Sequence, residues 1–336
     1  MDPVAALRRT AFLMERSRES TRRVQAFRNA ASVLLALPSA ELADRLDAAT
    51  LTDLEGIGPS TAAVAMQAHA GGVPERLQKL QAQAGPLVEG GEELRAALRG
   101  DLHSHSTWSD GGSSVEEMAV TALELGHEYL ALTDHSPRLT VARGLTEARL
   151  REQLELVAEV DDALGEFRLL SGIECDIRSD GTLDQTEELL GRVDVVVASV
   201  HSELRADSAT MTARMLTAIA NPHTDVLGHC TGRLVEGGRG TRPESTFDAA
   251  AVFAACVEHG VAVEINSRPE RRDPPRRLIT HALEAGCLFS IDTDAHAPGQ
   301  LDWQPYGCAR AQECGVPAER IVNTWPVEQL LGWTRS

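Results

Sequence analysis

Nine residues of the kinds that bind hard or borderline metal ions recur between positions 103 and 296: His103, His105, Asp110, His135, Glu174, His201, His229, Asp294 and His296. All offer an imidazole nitrogen or a carboxylate oxygen, and none is a cysteine. Such donors suit zinc, manganese or iron rather than a soft-metal centre. A mononuclear catalytic site takes three or four protein ligands, so nine donors predict two or three ions sharing bridging groups. Clustered divalent ions lower the pKa of a bound water from about 15.7 to near 7, and a pair roughly 3.5–4 Å apart clamps the attacking and leaving oxygens of a phosphoryl displacement. Metal-assisted phosphoester hydrolysis is the reaction class this set predicts. No Walker phosphate loop, nucleophile elbow or dinucleotide fingerprint competes with it.

The elements that must position these donors are readable from residue 100 onward. β-branched runs are read at about 101–103, 128–133, 167–173, 193–200, 224–228, 260–265 and 286–291; all but 260–265 lead to one of the nine ligand-type residues, and helical stretches lie between them. Ser114-Val-Glu-Glu117 reads as a capping box at one helix start. His103 and His105 alternate on an extended segment, so both imidazoles reach the same side. Short parallel strands alternating with helices predict an α/β fold, either a βα barrel or an open doubly wound sheet, with the active site at the carboxyl ends of the strands in both. A seven-stranded TIM-like barrel fits best. The competing reading, separate histidines satisfied one by one, does not account for their recurrence at successive strand ends.

The chain has 336 residues, 43% of them hydrophobic. No apolar run approaches the roughly 18 residues of a membrane span, and Met1-Asp-Pro-Val does not begin a signal peptide. A cytoplasmic protein with no membrane association and no obligate protein partner is expected. Cys175, Cys230, Cys256, Cys287, Cys308 and Cys314 show no CxxC spacing and are expected as reduced thiols. Residues 1–99 hold 12 basic and 12 acidic side chains and residues 100–336 hold 20 and 38, so the net charge of -18 lies in the second part. Bare, that part repels a polyanion, but three divalent ions would invert the field at the pocket.

The first part reads as helices at about 4–15, 21–37 and 39–48, then a helical pair around Leu54-Glu-Gly-Ile-Gly-Pro-Ser60. The pair resembles a helix-hairpin-helix, in which Gly56, Ile57 and Gly58 present backbone N–H groups to a nucleic-acid phosphate. The expected organisation is a helical domain over 1–82, a linker over 83–98 and a catalytic domain over 99–336. Arg8, Arg9, Arg16, Arg18, Arg22, Arg23 and Arg28 give the first thirty residues a basic surplus. It is open to two readings, a nucleic-acid contact or a solvated helical face.

Thr133-Asp-His-Ser136, Val141-Ala-Arg-Gly-Leu145, Ala198-Ser-Val-His201, Asp225-Val-Leu-Gly-His229, Thr231-Gly-Arg-Leu234 and Thr293-Asp-Ala-His296 together resemble the PHP (polymerase and histidinol phosphatase) family over about residues 99–336. They match the sub-type at the C-terminus of bacterial family-X DNA polymerases. The resemblance implies a distorted seven-strand barrel with three divalent metals. One would lie on His103, His105, Glu174 and Asp294, a second on Glu174, His201 and His229, a third on Asp110, His135 and His296, with Glu174 as the bridge. It also implies removal of 3′ nucleotides or 3′ phosphates from DNA, DNA thus being the expected substrate. Residues 1–82 resemble those polymerases' N-terminal helical domain, but the polymerase palm between the two parts is absent, so polymerase activity is not expected. Where relatives carry a hairpin-helix lysine that attacks an abasic sugar, this chain has Val64, and Lys79 lies beyond the motif; no lyase role is expected.

Arg143, Arg233 and Arg271 follow strand ends and are candidate phosphate-binding cations, Arg143 with a catalytic role beside Glu174 and Asp294. Surface solvation or a structural ion pair is the alternative for each. Arg268 departs from the family pattern; Arg271 keeps its place. Two other functions remain open to the sequence: a small-molecule phosphomonoesterase of the histidinol-phosphatase type, and a non-catalytic DNA-binding module.

Overall fold

A computed structural model describes residues 1–238 and 240–335. The chain divides into two compact units, Met1–Pro86 with Ala297–Gln300, and Leu87–His296 with the residues from Leu301 onward. The division falls inside the segment 83–98 read as a linker, and Glu92–Ala97 within that segment is helical.

The first unit is helical: α1 (Pro3–Arg16), α2 (Thr21–Ala36), α3 (Ser39–Asp47), α4 (Pro59–His69) and α5 (Glu75–Gln83). The Asp2 carboxylate caps α1 by accepting the Ala5 N–H at 2.8 Å. Leu7, Ala11, Phe12, Phe27, Leu34, Val64 and Leu77 form the apolar faces buried within this unit. The helical pair around Leu54–Ser60 consists of a short 3-10 turn, Leu51–Asp53, and α4. Gly56, at φ 87, breaks the chain direction, and Pro59 sets φ for the first turn of α4.

The second unit opens with α6 (Glu92–Ala97) and then alternates: β1 (Gly100–Ser104), α7 (Val115–Glu124), β2 (Tyr129–Leu132), α8 (Glu147–Ala163), β3 (Arg168–Asp176), α9 (Glu187–Leu190), β4 (Val195–Ser199), α10 (Ser208–Ile219), β5 (Val226–Leu227), α11 (Ala249–His259), β6 (Ala262–Asn266), α12 (Arg276–Ala285) and β7 (Phe289–Asp292). Helices α13 (Gln304–Glu313) and α14 (Val327–Thr334) follow. The seven strands are all parallel and ordered β1 to β7. Side chains of Ser114, Thr146, Asp207 and Asp248 cap α7, α8, α10 and α11, fixing where each helix leaves its loop. Gly260 and Gly286 end α11 and α12 in the left-handed conformation, a few residues before β6 and β7.

Two strands differ from expectation in ways that matter for the site. β3 runs on to Asp176, so Glu174 stands within the strand rather than after it. β5 is only Val226–Leu227; beside it the Asp225 side chain takes the Val196 N–H at 2.7 Å while the Asp225 N–H bonds Val196 O at 3.1 Å.

The ladder between β7 and β1 is only a single bridge, Ser104 to Ala295. Side chains close the gap instead. Asp292 accepts the Leu102 N–H at 2.8 Å, and Asp101 accepts the Thr293 hydroxyl at 2.5 Å. Asn323 accepts the Ile291 N–H at 2.7 Å while donating to Gly100 O at 3.2 Å and to Asp292 at 2.8 Å. Gln304 donates to both Gly100 O and Ile291 O. A nearly closed seven-stranded barrel results, with every strand end that carries a ligand-type residue on one rim.

Candidate metal centre

Glu174, buried in β3, is the hub. Its Oε2 lies 3.3 Å from His103 Nε2, 3.6 Å from His105 Nε2 and 2.8 Å from His135 Nδ1. Its Oε1 lies 3.2 Å from His201 Nε2 and 2.9 Å from His229 Nε2. One carboxylate therefore faces two separate groups of imidazoles, one through each oxygen. Asp110, the exposed member of the set, meets His135 Nε2 at 3.4 Å and His296 Nε2 at 3.3 Å, and Asp294 meets His105 at 3.5 Å.

The donor set fits metal ions. Both Glu174 oxygens, both ring nitrogens of His105 and His229, and one each of His103, His135 and His201 are buried without a hydrogen-bond partner, although they approach one another within the distances above. Buried polar atoms are ordinarily paired, and orphans converging in one place indicate a missing ligand. Donors each 2.0–2.2 Å from a shared ion sit roughly 2.8–3.6 Å apart, from octahedral to tetrahedral arrangement, the range of the distances above. Three groups have ligand atoms within 4.8 Å of one another: His103, His105 and Asp294; His105, Asp110, His135 and His296; and His135, Glu174 and His201. These do not coincide one for one with the family's assignment. His135 faces Glu174 and Asp110 through its two nitrogens, and His229 reaches the cluster through Glu174.

Electrostatics divide the set. Burial pulls the His103 and His135 imidazoles down, but Glu174 together with Glu264 lifts His103 well above its ordinary value, and Glu174 together with Asp110 lifts His135 to about 10. Burial and the Arg271 cation hold His229 down to about 4, and burial with His296 and His135 holds His105 well below its ordinary value. Burial raises Asp294, yet Arg271 and Arg268 outweigh it and keep the carboxylate ionised. Ion binding must therefore expel protons from His103 and His135, and affinity falls as pH falls.

Sequence reasoning missed the groups that orient these ligands. Glu264, fully buried in β6, accepts from His103 Nδ1 at 2.6 Å, from the His229 N–H at 2.5 Å and from Asn266 at 3.2 Å. Asp176 bonds His201 Nδ1. Asn266 and Arg271 Nε reach Asp294 Oδ2 at 3.3 and 2.9 Å, steadying a residue at φ 53. The available signal was an acid and an amide alternating through the otherwise apolar strand Ala262-Val-Glu-Ile-Asn266. Partners of this kind typically govern metal affinity by 10–100-fold. Glu264→Ala is expected to weaken metal binding by roughly that factor in a competition titration with a chromogenic chelator; an unchanged affinity would remove Glu264 from the centre.

The candidate substrate residues separate. Arg143 is exposed at φ 55, and its guanidinium has no partner among the described residues. Its loop is pinned to the centre, with the Leu145 N–H bonded to His135 O at 2.7 Å and Arg149 holding the carbonyls of Arg143, Gly144 and Trp108. Arg233 is engaged by Arg271 O, Arg272 O and Glu244, so its donors stitch loops together. Arg271 is buried on Asp294 with Nη1 left over. Arg268 donates to Asp294 O at 2.6 Å.

In the helical unit, the Ile57 N–H is already donated to Leu54 O at 3.2 Å and the Gly58 N–H to the Thr61 hydroxyl at 3.1 Å. Arg28 is buried on Glu15 at 2.9 and 2.6 Å, which takes it out of the basic surface. Arg23 pairs with Glu19 at 3.0 Å. Val64 is buried and Lys79 exposed. All six cysteines are free. Among the described residues, no helix is long and apolar enough to cross a membrane.

The sequence profile of the PHP domain matches residues 101–268, and that of a helix-hairpin-helix domain matches residues 1–73. The DNA polymerase/3′-5′ exonuclease PolX of Bacillus subtilis is 37% identical over 226 residues, covering 67% of this chain but 39% of the relative's own length. A protein of Aeromonas hydrophila named "Probable phosphatase" is 28% identical over 236 residues, covering 67% of this chain and 89% of that protein. The crystal structure of a histidinol phosphate phosphatase from Lactococcus lactis with zinc, L-histidinol and phosphate superposes with a TM-score of 0.46 at 19% identity, covering 65% of this chain and 94% of that one. With half its length matched by the domain profile and the motifs in place around the barrel mouth, this chain belongs to the PHP domain family, carrying a helix-hairpin-helix domain ahead of it.

Proposed function

We propose that this protein is a metal-dependent phosphoesterase that hydrolyses DNA 3′ ends, as a 3′-to-5′ exonuclease, a 3′-phosphatase or both, in DNA repair. The observation that carries the hydrolytic reading is Glu174, whose two oxygens face separate imidazole groups amid unpartnered buried donors. His103, His105, Glu174 and Asp294 would hold one ion, Glu174, His201 and His229 a second, and Asp110, His135 and His296 a third. Bound there, zinc, manganese or iron supplies charge stabilisation and an acidified water for attack on phosphorus. Glu264 and Asp176 hold His103 and His201 in the orientation that turns Nε2 toward Glu174. Arg143 supplies a cation at the mouth that orients the scissile phosphate.

DNA is the substrate favoured by two features: the helix-hairpin-helix profile over residues 1–73 and the similarity to a protein named as a 3′-5′ exonuclease. The decisive assay offers manganese-loaded full-length protein 3′-recessed DNA, 3′-phosphorylated DNA and histidinol phosphate side by side. Faster turnover of a DNA substrate is expected, and turnover of histidinol phosphate alone would overturn the reading. Arg143→Ala is expected to lower kcat/KM on DNA about 10- to 100-fold, the range of one charged hydrogen bond, with metal content intact. Unaltered kinetics would remove Arg143 from the reaction.

A further inference from the structure

The barrel unit is acid-rich, and its arginines are accordingly occupied. Each described arginine between residues 100 and 335 is engaged by a carboxylate or a backbone carbonyl, as Arg178 is by Asp184 and Arg320 by Gly286 O, with three exceptions. The exceptions are Arg138, Arg143 and Arg205, all exposed. Arg138 and Arg143 lie on the loop between β2 and α8, and Arg205 on the loop between β4 and α10. Both loops leave the carboxyl ends of their strands, on the rim that carries the metal ligands.

That placement is selective. With 38 acids against 20 basic residues over 100–336, an arginine left unpaired is uncommon, and none of the three lies elsewhere on the barrel. The loops are also fixed. Asp184 accepts the Arg138 N–H at 2.6 Å and the Arg178 guanidinium at 2.9 Å. Buried Arg214 then ties Ile177 O and Arg178 O to Ser202 O, at 2.8, 3.0 and 3.2 Å. Glu203, two residues before Arg205, lies 3.9 Å from Arg214. Because β3 separates β2 from β4, their ends are about 10 Å apart at two strand spacings, a width that more than one phosphate of a strand can occupy. A strand carrying a charge at every nucleotide spans that distance.

We infer that Arg138 and Arg205, together with Arg143 at the scissile phosphate, form a rim site for the phosphodiester backbone of a single nucleic-acid strand, with Arg138 and Arg205 holding phosphates that flank the one hydrolysed. The inference rests on the phosphoesterase reading and specifies its substrate as an oligonucleotide rather than an isolated monoester. Exposed, unpartnered side chains can be removed without disturbing the fold.

The test compares metal-loaded full-length protein with its Arg138→Ala/Arg205→Ala variant, using anisotropy of a fluorescein-labelled oligothymidylate with phosphorothioate linkages across a sodium chloride series. Losing two phosphate contacts is expected to reduce the slope of log K against log salt by about 1.4 and to weaken binding roughly tenfold at low salt. An unaltered slope, or wild-type protein that does not bind the strand, would overturn the rim site. Hydrolysis of 3′-recessed DNA by the same wild-type preparation tests the phosphoesterase reading separately, since binding is read without turnover.

Discussion

Glu174→Gln is expected to strip metal from two positions at once and to lower phosphoester hydrolysis by roughly a thousandfold, well beyond the 10–100-fold effect of losing a supporting partner. The reason lies in the two oxygens. Oε2 meets His103, His105 and His135, while Oε1 meets His201 and His229. An amide keeps the shape but offers one oxygen, so one imidazole group loses its shared ligand whichever way the side chain turns. It also removes a negative charge from a buried site that must offset several positive ones. Elemental analysis should show the metal-to-protein ratio falling from about three toward one, with circular dichroism unchanged. A variant that retains the wild-type ratio would show that Glu174 bridges nothing, and the trinuclear reading would fail with it.

The barrel was legible because its strands are buried on both faces and read as continuous apolar runs such as Val195-Val-Val-Ala-Ser199, punctuated by ligand-type residues at the rim. Glu264 was not, since one acid inside a strand looks like a register irregularity until the fold places His103 and the His229 backbone against it. Arginine roles were the least legible. Arg233 and Arg143 both follow a strand, yet one guanidinium is spent on Arg271 O, Arg272 O and Glu244 while the other has no partner among the described residues. That difference depends on neighbours remote in sequence. The helix-hairpin-helix around Leu54–Ser60 was legible, but not how short its first arm is: ahead of Gly56, at φ 87, it is the 3-10 turn Leu51–Asp53, and Pro59 starts α4.

The closure of the barrel was also invisible in the sequence, because it depends on Asn323, a residue beyond the last strand. Asn323→Ala is expected to destabilise the protein by about 3–5 kcal/mol, since three buried hydrogen bonds go and the Ile291 N–H is left without its acceptor. Gly100 O retains Gln304, and Asp292 retains the Leu102 N–H, so the damage concentrates on β7. That strand leads two residues on to Asp294, whose position at φ 53 depends on a firm β7 end. Metal affinity should therefore fall along with stability. For a domain of this size, at roughly 2–4 °C per kcal/mol, the midpoint should drop by about 6–20 °C. Calorimetry of the metal-loaded variant reads it, and a shift under about 2 °C would mean that the Asp101 and Asp292 side chains close the seam without the amide.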